Sequence, residues 1–287
     1  MRIAIVTATS AIGTDDDEPL LLPALQSAGA EVAVVPWDDP AVAWDDFDVA
    51  VVRSAWDYSA RRDEFLGWAR DTAARTTLRN GPDVLAWNTD KTYLRELGGV
   101  PVVPTAFLEP GDDVALPDRV EFVVKPSVSA GSRNTARYAA DAHPAARDHA
   151  QQLLAAGRTV MVQPYQASVD TRGETALLFV GGAFSHAASK AALLTPGHVL
   201  SADKLFATEK ISATEPTAAE REVAEAVLDA APFAREDLLY ARVDLVEGAD
   251  GSPLLLELEL AEPSLFLPQA PPAATAAFAA AIVAAAG

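Results

Sequence analysis

The sequence predicts a mixed α/β (α+β) protein, and three observations carry that expectation. Short apolar strands alternate with amphipathic helices over residues 1–85. Further on, apolar runs bounded by Gly, Pro and Ser read as more strands with few helices between them. Near the C-terminus, Tyr240-Ala-Arg242-Val-Asp244-Leu-Val and Leu254-Leu-Leu-Glu257-Leu-Glu259-Leu flank a turn-forming loop and read as a hairpin.

Each element follows from its local pattern. Arg2–Thr7 is a buried strand, Pro19–Ala28 a helix stopped by Gly29, and Glu31–Pro36 and Asp48–Val52 are two more strands. Arg61–Arg75 is a helix with Phe65, Leu66 and Trp68 spaced for one buried face. Asn80-Gly-Pro82 marks a break, and a helix is expected over Thr89–Leu97, ended by Gly98-Gly99. Pro101 and Pro104 bracket an extended stretch. Phe122–Pro126 is a short strand, and Ser127–Ser132 a small-residue loop. A strand resumes at Tyr138, Ala145–Ala156 is helical, and Thr159–Tyr165 is a strand. Thr175–Val180 and Ala183–Ala188 form a hairpin about Gly181-Gly182. The loop Thr195–Thr208 is long enough to be functional or mobile. Ala218–Ala230 is a helix, and Ala273–Ala286 a closing surface helix. No tandem repeat is visible.

Composition excludes several functions. The 287 residues are half hydrophobic, enough for a sizeable core and more than one domain. Acidic residues number 41 against 22 basic ones, giving a net charge of −19. Such a field disfavours nucleic acid and anionic membranes as partners. With no cysteine, disulfides, thiolate catalysis and cysteine metal sites are out. The four histidines show no HExxH-like pair, so a zinc centre is not expected. The chain opens directly on a strand, with no signal peptide, and the Ala-rich tail is too short to span a bilayer, which takes ~20 apolar residues. A cytoplasmic protein is expected. The turn after the first strand lacks GxGxxG and no GxxxxGK[ST] occurs, so dinucleotide and P-loop folds are poorly supported.

The acidic hairpin carries the chemistry. Strand side chains alternate faces, so Glu257 and Glu259 share one face, and a turn near Asp250 places Asp244 opposite Glu257. Crowded acids need a positive partner. Mg²⁺ takes hard oxygen ligands and bridges to phosphates, so a metal–phosphate site is the economical reading. Lys91 follows Asn88-Thr-Asp90, and Lys125 ends an apolar strand, where a partly desolvated ammonium needs an anion. The small-residue loop behind Lys125, with Ser129, Gly131 and Ser132, can turn backbone N–H groups toward phosphates. The acid run Asp15–Glu18 reads as a solvated loop, and Trp37 and Trp44 as packing residues.

The order Asp90-Lys91, Val124-Lys125-Pro126, Val162-Gln163-Pro164-Tyr165, Ala241-Arg242-Val243-Asp244 and Glu257-Leu258-Glu259 resembles the ATP-grasp ligase superfamily. A narrower likeness rests on Val51-Val-Arg53-Ser54-Ala-Trp56-Asp57-Tyr58, Gly173-Glu174, Ser185-His186-Ala-Ala-Ser-Lys190 and Glu259-Leu-Ala-Glu262-Pro263-Ser264-Leu-Phe266. It is similar to the actinobacterial group that includes the cyclo-ligase of D-cycloserine biosynthesis, which closes O-ureido-D-serine into the isoxazolidinone ring.

The resemblance implies an ATP-grasp fold with a Rossmann-like N-terminal domain at 1–85, a small lid subdomain at 86–165 and a large subdomain at 166–287. It implies ATP and Mg²⁺ as cofactors and a small polar amino acid as substrate. Lys91, Lys125, Ser129, Gly131 and Ser132 would face phosphates, Gln163, Pro164 and Tyr165 adenine, and Asp170 or Glu174 the ribose. Asp244, Glu257 and Glu259 would hold Mg²⁺, with the family's usual Glu-x-Asn here reading Glu-x-Glu. Arg242 and Lys190 would be catalytic, at the transferred phosphoryl. Arg53, Ser54, Trp56, Asp57, Tyr58 and His186 would contact substrate. Arg53 would grip a carboxylate, or else form a structural Arg–Asp pair with Trp56 packed in an interdomain seam; His186 would contact substrate, or else be a satisfied core histidine. Relatives form dimers or tetramers, so a homo-oligomer is expected, although no interface stripe is legible. The competing activities are intermolecular carboxylate–amine ligation and nucleotide binding without catalysis.

Overall fold

The computed structural model describes residues 1–197 and 210–287. The expected loop Thr195–Thr208 lies mostly outside them. The N-terminal part runs β1 (Arg2–Thr7), α1 (Glu18–Ser27), β2 (Glu31–Pro36), β3 (Val49–Ser54), α2 (Arg62–Ala73) and β4 (Thr77–Arg79). Its sheet is parallel throughout, in the order β2-β1-β3-β4. β3 is buried along its whole length, as a parallel strand covered on both faces must be. One face of β1 and β3 (Ile3, Ile5, Val49, Val51) packs on Leu21 and Leu25 of α1. The other (Ala4, Val6, Ala50, Val52) packs on Phe65, Leu66 and Ala69 of α2. Trp37 and Trp44 pack there as expected, with Trp68 between them.

Helix α3 (Pro82–Asn88) follows, then a 3₁₀ turn over Lys91–Arg95. This corrects the helix expected over Thr89–Leu97. Pro82 starts the helix about two turns earlier, as its fixed φ suits a first helical position. Asp90 is extended, and its side chain accepts from the Thr92 N–H, so the chain restarts rather than continues.

The second sheet holds β5 (Ala106–Leu108), β6 (Phe122–Pro126), β7 (Ala136–Tyr138) and, after helix α4 (His143–Ala155), β8 (Val160–Pro164). It is antiparallel, in the order β5-β8-β6-β7. Its core gathers Phe122, Val124, Leu153, Leu154 and Val162 against α4. After the short helix α5 (Val169–Arg172) come β9 (Glu174–Val180), β10 (Ala183–Lys190), β11 (Ile211–Thr214), α6 (Ala218–Ala230), β12 (Tyr240–Glu247) and β13 (Pro253–Glu259). These strands form the third sheet, antiparallel in the order β11-β10-β9-β12-β13. A capping box between Thr217 and Glu220 starts α6.

The last helix, α7 (Pro272–Ala285), returns to α1 and β3. It is more than a surface cover, for Phe278 and Ile282 are fully buried. Each such side chain contributes about 1.5–3 kcal/mol of apolar burial. The span 86–165 holds the small sheet, but Tyr93, Leu94 and Leu97 within it join the core of the large one. Among the described residues no helix is long and apolar enough to cross a membrane.

Candidate active site

The two antiparallel sheets face each other across a cavity of about 570 Å³. Lys125 on β6, Gln163 and Pro164 on β8, Glu174 on β9, Lys190 on β10, Arg242 on β12, and Glu257 and Glu259 on β13 line it. Lys91, Ser129, Gly131, Ser132, Tyr165, Trp56 and Tyr58 complete the expected set that reaches the cavity. The hairpin register is the expected one, with Asp244 across from Glu257 and Arg242 across from Glu259.

Nearly every charge here is answered by another. Arg242 donates Nε and Nη2 to Asp244 at 2.9 and 3.0 Å, and Nη2 also reaches Glu259. Lys190 bridges Asp244 at 3.0 Å and Glu174 at 2.9 Å. Lys91 Nζ lies 3.0 Å from Glu257 and donates to the Ser129 carbonyl at 2.6 Å. Burial opposes the charge on Asp244, but Arg242 and Lys190 outweigh it and hold the carboxyl below its usual range. Burial likewise opposes Glu257, where Lys91 and Lys125 prevail and lower it. Burial and the neighbouring acids Glu257 and Asp244 push Glu259 up to about 8 against the pull of Arg242. Burial works against Lys91 too, yet Glu257 keeps it raised.

Lys125 is the exception. It is buried, and it makes no hydrogen bond or ion pair with any described residue. Burial, with Lys91 and Lys190 nearby, lowers its pKa. A buried ammonium so placed needs an anion.

Among the described residues no three acids or histidines converge as a ready metal cage. Of the expected trio Asp244, Glu257 and Glu259, two members line the cavity. Both Asp244 oxygens are engaged by Arg242 and Lys190, and Asp244 does not line the cavity. Glu257 and Glu259 do line it, and their donor set fits a hard cation. Both are carboxylates, and burial with the neighbouring acids raises Glu259 against the pull of Arg242.

Several expected substrate contacts prove to be supports. Arg53 is fully buried, donates to the Pro263 carbonyl at 2.9 Å and pairs with Asp17 at 2.8 Å. It does not line the cavity, so the structural Arg–Asp pair is the reading the geometry takes. Asp17 in turn accepts from the N–H groups of Leu265 and Leu267. Asp15 and Asp17 are buried, which corrects the solvated-loop reading of that acid run. Ser54 bonds Thr7 at 2.7 Å, and Asp57 bonds Trp37 and Arg61. Neither lines the cavity. His186 bonds the Leu265 carbonyl through Nε2 at 2.7 Å; burial lowers its pKa, and it is a satisfied core histidine. Asp170 is held by both Arg137 nitrogens and by the Tyr165 hydroxyl, away from the cavity, whereas Glu174 lines it.

A common target explains these supports: the strap that follows β13. Each residue from Leu260 to Leu265 has a backbone group bonded by a side chain. Asn80 and Asn88 hold Leu260, Asn88 and Tyr240 hold Ala261, Trp56 holds Glu262 and Arg53 holds Pro263. Arg242 holds Ser264, while Asp17 and His186 hold Leu265. The strap carries Glu262, a cavity residue the sequence reading left without a role. Its signals were its place three residues beyond Glu259 and its membership of the Glu259–Phe266 motif that carries the narrower likeness.

A two-sheet clasp around buried lysines, with acids on an adjacent hairpin, defines an ATP-grasp carbon–nitrogen ligase, an ATP-dependent enzyme. The family model described as D-cycloserine synthetase DcsG, N-terminal domain, matches residues 3–80. Cycloserine biosynthesis protein DcsG of Streptomyces lavendulae is 40% identical over 281 residues, covering 92% of each chain. The crystal structure of D-cycloserine synthetase DcsG superposes with a TM-score of 0.88 at 38% identity over the whole of both chains. The chain belongs to the DcsG family. D-alanine–D-alanine ligase of Bacillus anthracis, solved with ATP, shares the fold at a TM-score of 0.66 and 13% identity, over 100% of this chain and 97% of that one.

Proposed function

We propose that the enzyme activates the carboxylate of a small polar amino acid and closes it onto a nitrogen of the same molecule, converting O-ureido-D-serine to D-cycloserine, with the carbamoyl group on that nitrogen lost by hydrolysis as carbon dioxide and ammonia. The likeness to a cycloserine biosynthesis protein along nearly the full chain supports the substrate. The observation that carries the chemistry is the buried Lys125, unpaired among the described residues, in one cavity with Glu257 and Glu259.

When bound, Mg²⁺-ATP supplies the phosphoryl group that makes the carboxylate an acyl phosphate. Lys91 and Lys125 would hold phosphate oxygens, with Ser129, Gly131 and Ser132 beside them. Glu257 and Glu259 would hold Mg²⁺. Gln163, Pro164 and Tyr165 would border the adenine, and Glu174 the ribose. Arg242 and Lys190 would offset charge on the transferred group; positioning and charge neutralisation are the protein's main contribution to such a transfer. Trp56 and Tyr58 would border the amino acid. Arg133 donates to the Trp56 carbonyl and to Ser59 Oγ, and so clips the loop after β6 onto the N-terminal domain. That clip keeps water from the acyl phosphate.

ADP release with Mg²⁺-ATP and O-ureido-D-serine, followed by mass spectrometry for the ring product, tests this reading. Stimulation that requires a second, free amine would replace it with intermolecular ligation.

A further inference from the structure

Ring closure makes a demand that the residues assigned so far do not meet. A nitrogen that attacks an acyl carbon becomes cationic unless its proton is removed. The acceptor must be an oxygen or nitrogen base inside the same water-poor cavity. Asp244, Glu257 and Glu259 are tied to Lys or Arg, and Glu174 is tied to Lys190. His186 is bonded on both ring nitrogens and lies off the cavity.

Glu262 differs from all of these. It is 7% exposed, and it lines the cavity beside Trp56, Tyr58 and Lys91. Its carboxyl forms no ion pair and takes no hydrogen bond from another described residue; its own backbone N–H is its one donor. Its main chain is fixed on both sides by the bonds from Tyr240 to Ala261, Trp56 to Glu262 and Arg53 to Pro263. A carboxylate held by its backbone and left open at its tip is built to meet a ligand.

We propose that Glu262 is the general base of the ligation step, accepting the proton of the attacking nitrogen. This rests on the acyl-phosphate reading above. The nitrogen lone pair forms the N–C bond, and the adduct collapses with cleavage of the C–O bond to phosphate. Phosphate leaves with that electron pair, and the N–H proton passes to a Glu262 oxygen.

The surroundings suit the role. Lys91 and Arg242 favour the ionised form, while Glu257 and Glu259 oppose it, and Tyr58, Arg133 and Tyr240 also face the group. Burial outweighs the nearby cations and brings the carboxyl to about 7. A base works best near the operating pH.

The test separates activation from ligation. Hydroxylamine is a strong, neutral nucleophile that captures acyl phosphates as hydroxamates without a base. For Glu262→Gln we expect ring formation to fall about 10²- to 10⁴-fold. The KM values for ATP and amino acid should stay within a few-fold, and hydroxamate formation with its ADP release should remain near the wild-type rate. Glu262→Asp should recover part of the lost rate, and a thermal melt of each variant checks the fold. Ring formation by Glu262→Gln near the wild-type rate would overturn the proposal. So would parallel loss of hydroxamate, or a raised KM with unchanged kcat, since both would make Glu262 a binding group. Wild-type enzyme that forms no hydroxamate at all would instead bring down the acyl-phosphate reading beneath it.

Discussion

Two buried ionic networks lie within one molecule, and they are built in opposite ways. Around Arg53, the opposing charge belongs to groups that go on to hold backbone: Asp17 accepts from Leu265 and Leu267, and Arg53 itself donates to Pro263. Around Lys125, the acids crowd one another, Glu259 is pushed up to about 8, and one ammonium has no hydrogen bond or ion pair among the described residues. The first network is tied largely to main-chain groups and fixes a segment, although Arg53 Nε and Asp15 Oδ2 find no hydrogen bond among the described residues. The second is left open toward a cavity and matches a charged ligand. Burial alone does not distinguish them; what the last lone pair or proton meets does.

The largest effect should come from breaking the closed network. Arg53→Met strands Asp17 and the Pro263 carbonyl and should cost about 3–5 kcal/mol in urea unfolding. The KM for ATP in the protein that stays folded should not change; a specific rise in the amino-acid KM with full stability would return Arg53 to the substrate site. Lys125→Met should behave in the reverse way. Stability should hold or rise, because an unpaired buried charge is removed, while ATP binding weakens roughly 10- to 100-fold, the worth of one or two charged hydrogen bonds. Unchanged affinity by calorimetry would remove Lys125 from the site.

A pH series sharpens the contrast. Because the Glu259 pKa is raised on folding, the native state keeps a proton that the unfolded chain releases. Its contribution is present below about 4.5, the usual carboxyl value, and is lost as pH rises toward about 8. In chelator-treated, nucleotide-free protein, Glu259→Gln should flatten that decline by on the order of 1 kcal/mol. An unaltered slope would show the carboxyl to be ionised throughout. The smallest effect belongs to Asp170→Asn, a half-exposed ion pair worth less than about 1 kcal/mol. It should leave the KM for ATP alone, and a clear rise would put Asp170 back at the ribose.

Sequence reading reached the cavity from both sheets but misplaced several residues behind it. Strand alternation and the turn loop placed Asp244 opposite Glu257 before any coordinates, because a hairpin's pleat and turn leave few registers. Lys125 stood out because an ammonium ending Phe-Val-Val is hard to hide. The supporting roles of Arg53 and His186 were not legible because their partners include carbonyl oxygens, which every residue has and no sequence reveals. The acid run Asp15–Glu18 looked solvated for a similar reason. What buries it is a backbone segment some 250 residues away, as in the Asp17–Leu267 bond.

The position of β13 carries one more consequence. It is the outer strand of the large sheet, and an outer strand offers a ladder to any passing chain. Here the Tyr93 hydroxyl both accepts from and donates to Leu258, while Pro101 and Val103 occupy both polar groups of Leu255. A side chain and a loop thus stand where a neighbouring strand would lie. The strand that presents Glu257 and Glu259 is thereby guarded against edge-to-edge strand pairing at Leu255 and Leu258.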